Sequence, residues 1–214
     1  MRFNHCVACA VAALALAAGG AWSAPDEDYA AGRKAYFEGD MAGATTLLTR
    51  SADAGHAPAQ ALLARLLRRI DLTDAAVGYY RQSAAQGYAE AEYELGAMYA
   101  AGDGVKPDSA EARRWLARAA DNGHRLAITA LADAYLDGGL GLDEQERTGP
   151  AAAKCLQRAA ETGHVRALER LAAAYRNGGL GLPVDARQAE QLEARARSLR
   201  GGGAQARAGK EKAK

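Results

Sequence analysis

Apolar and small residues recur along this chain in columns. Four short junctions look alike: Gly55-His56-Ala57, Gly87-Tyr88-Ala89, Gly123-His124-Arg125 and Gly163-His164-Val165. Their glycines lie 32, 36 and 40 residues apart. Four residues after each glycine stand Ala59, Ala91, Ala127 and Ala167, and eight after it stand Leu63, Leu95, Leu131 and Leu171. The next position is small (Ala64, Gly96, Ala132, Ala172), and the twelfth is Leu67, Tyr99, Tyr135 or Tyr175. Offsets of 4, 8, 9 and 12 fall on one side of a 3.6-residue helix. Counting backward gives a second stripe. Three before the glycines lie Ala52, Ala84, Ala120 and Ala160, and seven before lie Leu48, Tyr80, Leu116 and Leu156. Eight before lie Leu47, Tyr79, Trp115 and Cys155, and eleven before lie Ala44, Ala76, Ala112 and Ala152. Large residues fill a layer and small ones let helices approach. Trp115 is therefore expected in the core of its repeat.

The unit is a pair of helices, and such a pair cannot bury its apolar face without neighbours to stack on. The punctuation predicts first helices near 26–38, 57–69, 89–101, 125–137 and 165–177. Second helices are predicted near 41–53, 73–86, 108–121, 150–161 and 185–199. Asp74, Asp108 and Asp185 stand at or near second-helix starts, where a carboxylate meets free amides and the positive end of the dipole. The glycines of 138–141 and 178–181 allow positive φ after a helix ends, and the leucines beside them can tuck back under the pair. No alternating strand pattern persists. The fold class expected is all-α: a right-handed α/α solenoid of about five antiparallel helix pairs.

The stretch 87–120 carries Gly87, Ala91, Leu95, Gly96, Tyr99, Gly102, Gly104, Val105, Ala112, Trp115, Leu116, Ala119 and Ala120. This pattern resembles the Sel-one-like repeat family, α/α solenoids related to tetratricopeptide repeats. The likeness is good over 123–160 and 163–197. It is weaker over 55–84, where the inter-helix loop Arg69-Ile70-Asp71-Leu72 has no glycine. The stretch 26–54 looks like a tetratricopeptide-like helix pair. The resemblance implies a fold and a mode of use, binding along an extended face, and names no ligand.

Residues 1–23 look like a secretory signal. Arg2 starts it, Cys6 to Ala18 is an unbroken apolar run, and small residues follow. Cleavage after Ser23 is expected, which places the mature protein in the periplasm or outside the cell. The run is short for a membrane span of about 20 residues, and no stable membrane anchor is expected. Of three cysteines, Cys6 and Cys9 leave with the leader, so Cys155 alone can form no internal disulfide. The stretch 24–200 is the expected solenoid domain, with 22 basic and 25 acidic residues. That balance argues against nucleic acid, which requires a strongly basic face. Residues 201–214, rich in glycine and lysine, are expected to be a disordered basic tail.

Candidate chemistry is sparse. His56, His124 and His164 each follow a junction glycine, with no Asp or Cys at ligand spacing, so they read as a turn column and no metal is implied. The Gly138-Gly139-Leu140-Gly141 stretch follows a helix, and no Lys-Ser or Lys-Thr comes after it, so it is no phosphate loop. Cys155 reads as a small buried hydrophobe. No catalytic motif is spelled locally, and no enzyme activity or cofactor is expected. What remains is surface. Offsets 3, 7, 10 and 14 of the first helices point away from the buried stripe, a side that tends to be concave in such solenoids. They hold Arg65 and Arg69, Glu90 and Glu94, Asp133 and Asp137, Arg166 and Arg170, positive, negative, negative, positive along the stack. These eight are the expected partner-binding residues.

The function expected is a non-catalytic exported scaffold or adaptor that holds a protein or peptide partner as a monomer. Family members serve in exopolysaccharide secretion, envelope signalling, motor assembly and host interaction, among which nothing in the sequence chooses. The alternative is a cell-wall or β-lactam-acting hydrolase, as credited to cysteine-rich relatives. The cysteine pairs of that type are absent.

Overall fold

The computed structural model describes residues 24–211, with side chains described to residue 201. The leader 1–23, with Cys6 and Cys9, and residues 212–214 lie outside the described residues. The helices are α1 (Pro25–Glu38), α2 (Met41–Asp53), α3 (Ala57–Arg69), α4 (Thr73–Ala85), α5 (Ala89–Ala101) and α6 (Ser109–Asp121). They continue with α7 (Arg125–Asp137), α8 (Glu144–Thr148), α9 (Pro150–Glu161), α10 (Val165–Asn177) and α11 (Ala186–Glu211). Five pairs, α1/α2, α3/α4, α5/α6, α7/α9 and α10/α11, stack in chain order as an α/α solenoid. Among the described residues there is no strand.

The junction glycines set the repeat. Each of Gly55, Gly87, Gly123 and Gly163 has φ between 79° and 88°, ending a second helix in the left-handed region that side chains with a Cβ avoid. The following residue's amide then closes back on the helix, as His124 does on the Ala119 carbonyl at 2.9 Å. Between junctions the alanine columns are sealed: Ala59, Ala91, Ala127 and Ala167 are all 0% exposed. Leu48, Tyr80, Leu116 and Leu156 are buried beside them. Fully burying such a side chain stabilises by about 1.5–3 kcal/mol. Gly96 shows why the next column is small: a Cβ there would lie 2.9 Å from Leu116 Cγ.

Three features differ from the expectation. The column of Leu47, Tyr79, Trp115 and Cys155 is half-buried throughout, so Trp115 sits at the rim of the core. The long loop after α7 contains α8, which begins with a capping box: Asp143 accepts from the Glu146 amide at 2.7 Å, and Glu146 accepts from the Asp143 amide at 3.0 Å. Arg147 of α8 then donates to the Tyr135 and Leu136 carbonyls at 3.1 and 2.7 Å, covering the open end of α7. Finally, α11 carries helical backbone past 199, through Gly201–Gly203 to Glu211. Of the expected caps, Asp108 and Asp185 accept amide bonds from their helices, while Asp74 lies inside the first turn of α4 without capping it. Leu142 and Leu180 tuck into the core as expected.

A polar seam runs between the two helices of the early repeats. Asp28 of α1 pairs with Arg50 of α2. Gln60 of α3 receives Gln86, the residue that follows α4, at 2.8 Å and donates to Gln82 of α4 at 3.3 Å. Glu92 of α5, 0% exposed, receives Arg118 of α6 at 2.9 Å and Asn122, the residue that follows α6, at 2.8 Å. The equivalent positions in the next two repeats are apolar, Ile128 and Leu168, both buried. A second role falls to the arginines of this column. Arg118, Arg158 and Arg195 each donate to a carbonyl at the end of the preceding second helix, those of Ala84, Ala120 and Glu161. Cations at a helix C-terminus satisfy orphan carbonyls and oppose the dipole.

Candidate binding face

The first helices α1, α3, α5, α7 and α10 form one face, and the expected binding residues lie on it. They are engaged with one another across repeats. Arg65 of α3 pairs with Glu90 of α5, and Glu90 also meets His124 Nε2 at 2.8 Å. Glu94 pairs with Arg68 at 3.1 Å, which also holds Asp103 at 2.7 Å. Arg69 donates to the Tyr36 hydroxyl at 3.1 Å and stands 5.8 Å from its ring centroid. Asp133 and Asp137 of α7 both take Arg166 of α10. The guanidinium hydrogen bond from Arg166 holds the Asp137 carboxyl below its ordinary range. Arg170 is exposed and has no ion pair among the described residues. Seven of the eight positions therefore take part in inter-repeat bonds, with opposite signs facing each other between α3 and α5 and between α7 and α10.

The junction histidines have a role that the sequence did not suggest. Each is the N-cap of a first helix. His56, His124 and His164 accept through Nδ1 from the amides of Ala59, Ala127 and Ala167 at 3.2–3.3 Å. Accepting at Nδ1 leaves the proton on Nε2. That nitrogen reaches back to an acid of the preceding first helix: Asp26 at 2.9 Å, Glu90 at 2.8 Å and Asp133 at 3.2 Å. His124 also stacks on Tyr93 with centroids 4.6 Å apart, and His56 lies 4.8 Å from Tyr29. These rings are struts between repeats. Among the described residues, no three metal-ligating side chains gather in one place.

Between α5 and α7 this face opens into a groove of about 430 Å³. Tyr93, Ala97 and Ala130 line it, Leu116 and Leu140 form its floor, and Asp133 and Asp137 stand at its rim. Small side chains at offsets 7 and 10 make room for it. That signal is present in the sequence as Ala97 and Ala130, which stand at offsets where other first helices carry charge. The groove can seat an apolar side chain beside a carboxylate rim. Elsewhere, burial pushes the Cys155 thiol up to about 11 and so disfavours its thiolate. Burial also raises the hydroxyl of Tyr80, against the opposing pull of Arg65 and Arg68 nearby. Among the described residues no helix is long and apolar enough to cross a membrane.

Comparison with known proteins agrees with this architecture. The pattern of the Sel1 repeat matches residues 57–88, 89–124, 125–164 and 165–196. A crystal structure of a Sel1 repeat protein from Oxalobacter formigenes superposes with a TM-score of 0.64 at 33% identity, over 81% of this chain and 51% of that one. A crystal structure of the MamA protein superposes with a TM-score of 0.51 at 21% identity over 85% of this chain and 94% of that one, a likeness of fold alone. An uncharacterized protein of Neisseria meningitidis serogroup B is 47% identical over 57 residues, 27% of this chain and 12% of its own length. The chain thus spans about half of the Oxalobacter protein and a small part of the Neisseria one.

Proposed function

The chain belongs to the Sel1 repeat family, and from that premise we propose that it is a non-catalytic adaptor holding a protein or peptide partner on the face of its first helices. The observation that carries this reading is the groove between α5 and α7, apolar within and acidic at its rim. Repeat solenoids use such extended faces for binding. The charged side chains around the groove are held by neighbours, so they stand in fixed positions and lose little freedom when a partner arrives. A peptide presenting an apolar side chain next to a lysine or arginine suits the groove, the cation sharing Asp133 or Asp137 with Arg166.

The test is a blocked groove. Ala130→Arg places a long side chain in the groove at a half-exposed position. It should leave the melting temperature nearly unchanged and remove the partner captured by the wild-type protein from envelope extracts. A partner retained at wild-type yield by the blocked protein would place the binding surface elsewhere.

The adaptor acts in the periplasm or outside the cell, in a form beginning at or near Ala24. The apolar run of 1–23 with its small-residue exit supports this. Fractionation with N-terminal sequencing tests it: intact protein starting at Met1 in the membrane pellet would refute export by cleavage.

A further inference from the structure

We propose that a cleft on the opposite face, between the second helices α6 and α9, is a docking socket for an aromatic side chain carried on an acidic segment of a partner protein. The repeat itself shows what is missing there. In α6 the ring of Trp115 is flanked by the guanidinium groups of Arg114 and Arg118, at 4.6 and 4.9 Å from the ring, and its Nε1 donates to Glu111 at 3.1 Å. It packs against the core of the preceding repeat. In α4 the same column holds Tyr79, whose hydroxyl reaches Asp53 of α2 at 3.4 Å. Each ring thus covers the gap between its own second helix and the one before.

In α9 that column holds Cys155, and the ring is absent. The flanking cations remain: Lys154 stands where Arg114 does, and Arg158 where Arg118 does. A cleft of about 460 Å³ opens at this place, with Ile128, Leu131, Tyr135 and Leu142 beneath it and Cys155 and Lys154 in its wall. The size lies within the range of about 300–1,000 Å³ typical of ligand sites. An aromatic ring entering it would bury apolar surface on these side chains and meet two cations in the geometry already used by Trp115.

The charge around the cleft selects the flanking residues of the partner. Arg158 is engaged by Asp121 at 2.6 Å and by the Ala120 carbonyl, and Arg113 by the Leu140 carbonyl and by Glu146 at 3.8 Å. Lys154 is exposed and has no ion pair among the described residues. Ala151 occupies the position of Glu111, so Lys154 lacks the carboxylate that Arg114 has one turn back, while the acids lining the cleft, Asp121 and Glu146, are taken by Arg158 and Arg113. A segment with acidic residues next to its aromatic supplies that charge. This site lies on the other side of the solenoid from the groove between α5 and α7, and it stands or falls independently of that groove.

The experiment titrates purified protein against a fluorescein-labelled pentapeptide, tryptophan between two pairs of acidic residues, followed by anisotropy. Saturable binding is expected at low salt. Replacing the peptide's tryptophan by alanine, or its acids by lysines, should weaken binding by about tenfold or more. Cys155→Trp fills the socket from within, so it should raise the melting temperature and weaken peptide binding by about tenfold. Lys154→Glu should weaken binding at an unchanged melting temperature. The proposal is overturned if the peptide does not bind, if the alanine peptide binds equally well, or if both variants bind like wild type. Phe37 is 76% exposed and is followed by Glu38 and Asp40. Concentration-dependent self-association abolished by Phe37→Ala would assign the socket to a second copy and overturn the commitment to a separate partner.

Discussion

Removing the guanidinium of Arg118 should destabilise this protein far more than removing the carboxylate it meets. Glu92 is wholly enclosed and is satisfied by Arg118 and Asn122. In Arg118→Ala the carboxylate stays in the core with Asn122 alone. Breaking a buried pair from one side costs about 3–5 kcal/mol. At about 2–4 °C per kcal/mol for a domain of this size, the melting temperature should fall by roughly 6–20 °C. Glu92→Leu is a different perturbation. It recreates the arrangement of the last repeat, where Leu168 is buried and Arg195 still caps the preceding helix. Arg118 would keep the Ala84 carbonyl, and the change should cost less than about 1 kcal/mol or stabilise. The double variant Glu92→Leu/Arg118→Ala should then be more stable than Arg118→Ala, with a coupling of about 2–3 kcal/mol. Urea titrations and thermal melts of the four proteins give the cycle. If the single Arg118→Ala and the double variant lose the same stability, Arg118 acts through its carbonyl and ring contacts, and the buried pair does not hold the two helices.

Other outcomes follow from particular positions. Trp115→Ala should cost about 2–3 kcal/mol, less than the wholly buried aromatic expected from sequence, and no more than Leu116→Ala within its range of about 2–5 kcal/mol; paired melts give the order. Asp133→Lys should lower the melting temperature because it faces Arg166 and His164, and Asp133→Asn, which removes the charge without reversing it, should lower it less. Cys155, raised to about 11, should react slowly with iodoacetamide at pH 8 and faster as pH rises toward that value. Asp137 is held low by Arg166, so its contribution is present above the unfolded carboxylate value and is lost as pH falls through the lower folded value; NMR titration of its side chain should show the depression vanish in Arg166→Gln.

Most of the fold was legible because each repeat reports the same geometry several times. The junction glycines and alanine columns place the starts of ten helices within about a residue, and α8 alone escaped, although Asp143 and Glu146 spell its capping box. The rim position of Trp115 was harder to read. A column gives the direction in which a side chain points, and burial depends on how far the next repeat reaches over it. The binding face was legible only as a set of positions. Arg65 and Glu90, or Asp137 and Arg166, are 25 and 29 residues apart, and nothing local says that one meets the other. The histidine struts were hidden for a similar reason. Their backbone bonds lie three residues away and could be read, but the acids they reach, Asp26, Glu90 and Asp133, stand at no constant offset.

The backward reach of the arginines gives the stack a mechanical polarity. Arg118, Arg158 and Arg195 all close the end of the helix that precedes them, and the histidines likewise grip the unit behind. Peeling a unit from the carboxyl end strips the closure from its predecessor and leaves bare carbonyls at the break. Peeling from the amino end uncovers an apolar face as well, but the second-helix ends of the remaining units keep their arginine closures. A tether pulling on the last unit should therefore unravel the rod in successive steps, each weakened by the one before. The same force applied at the first unit should meet an undiminished barrier at every step.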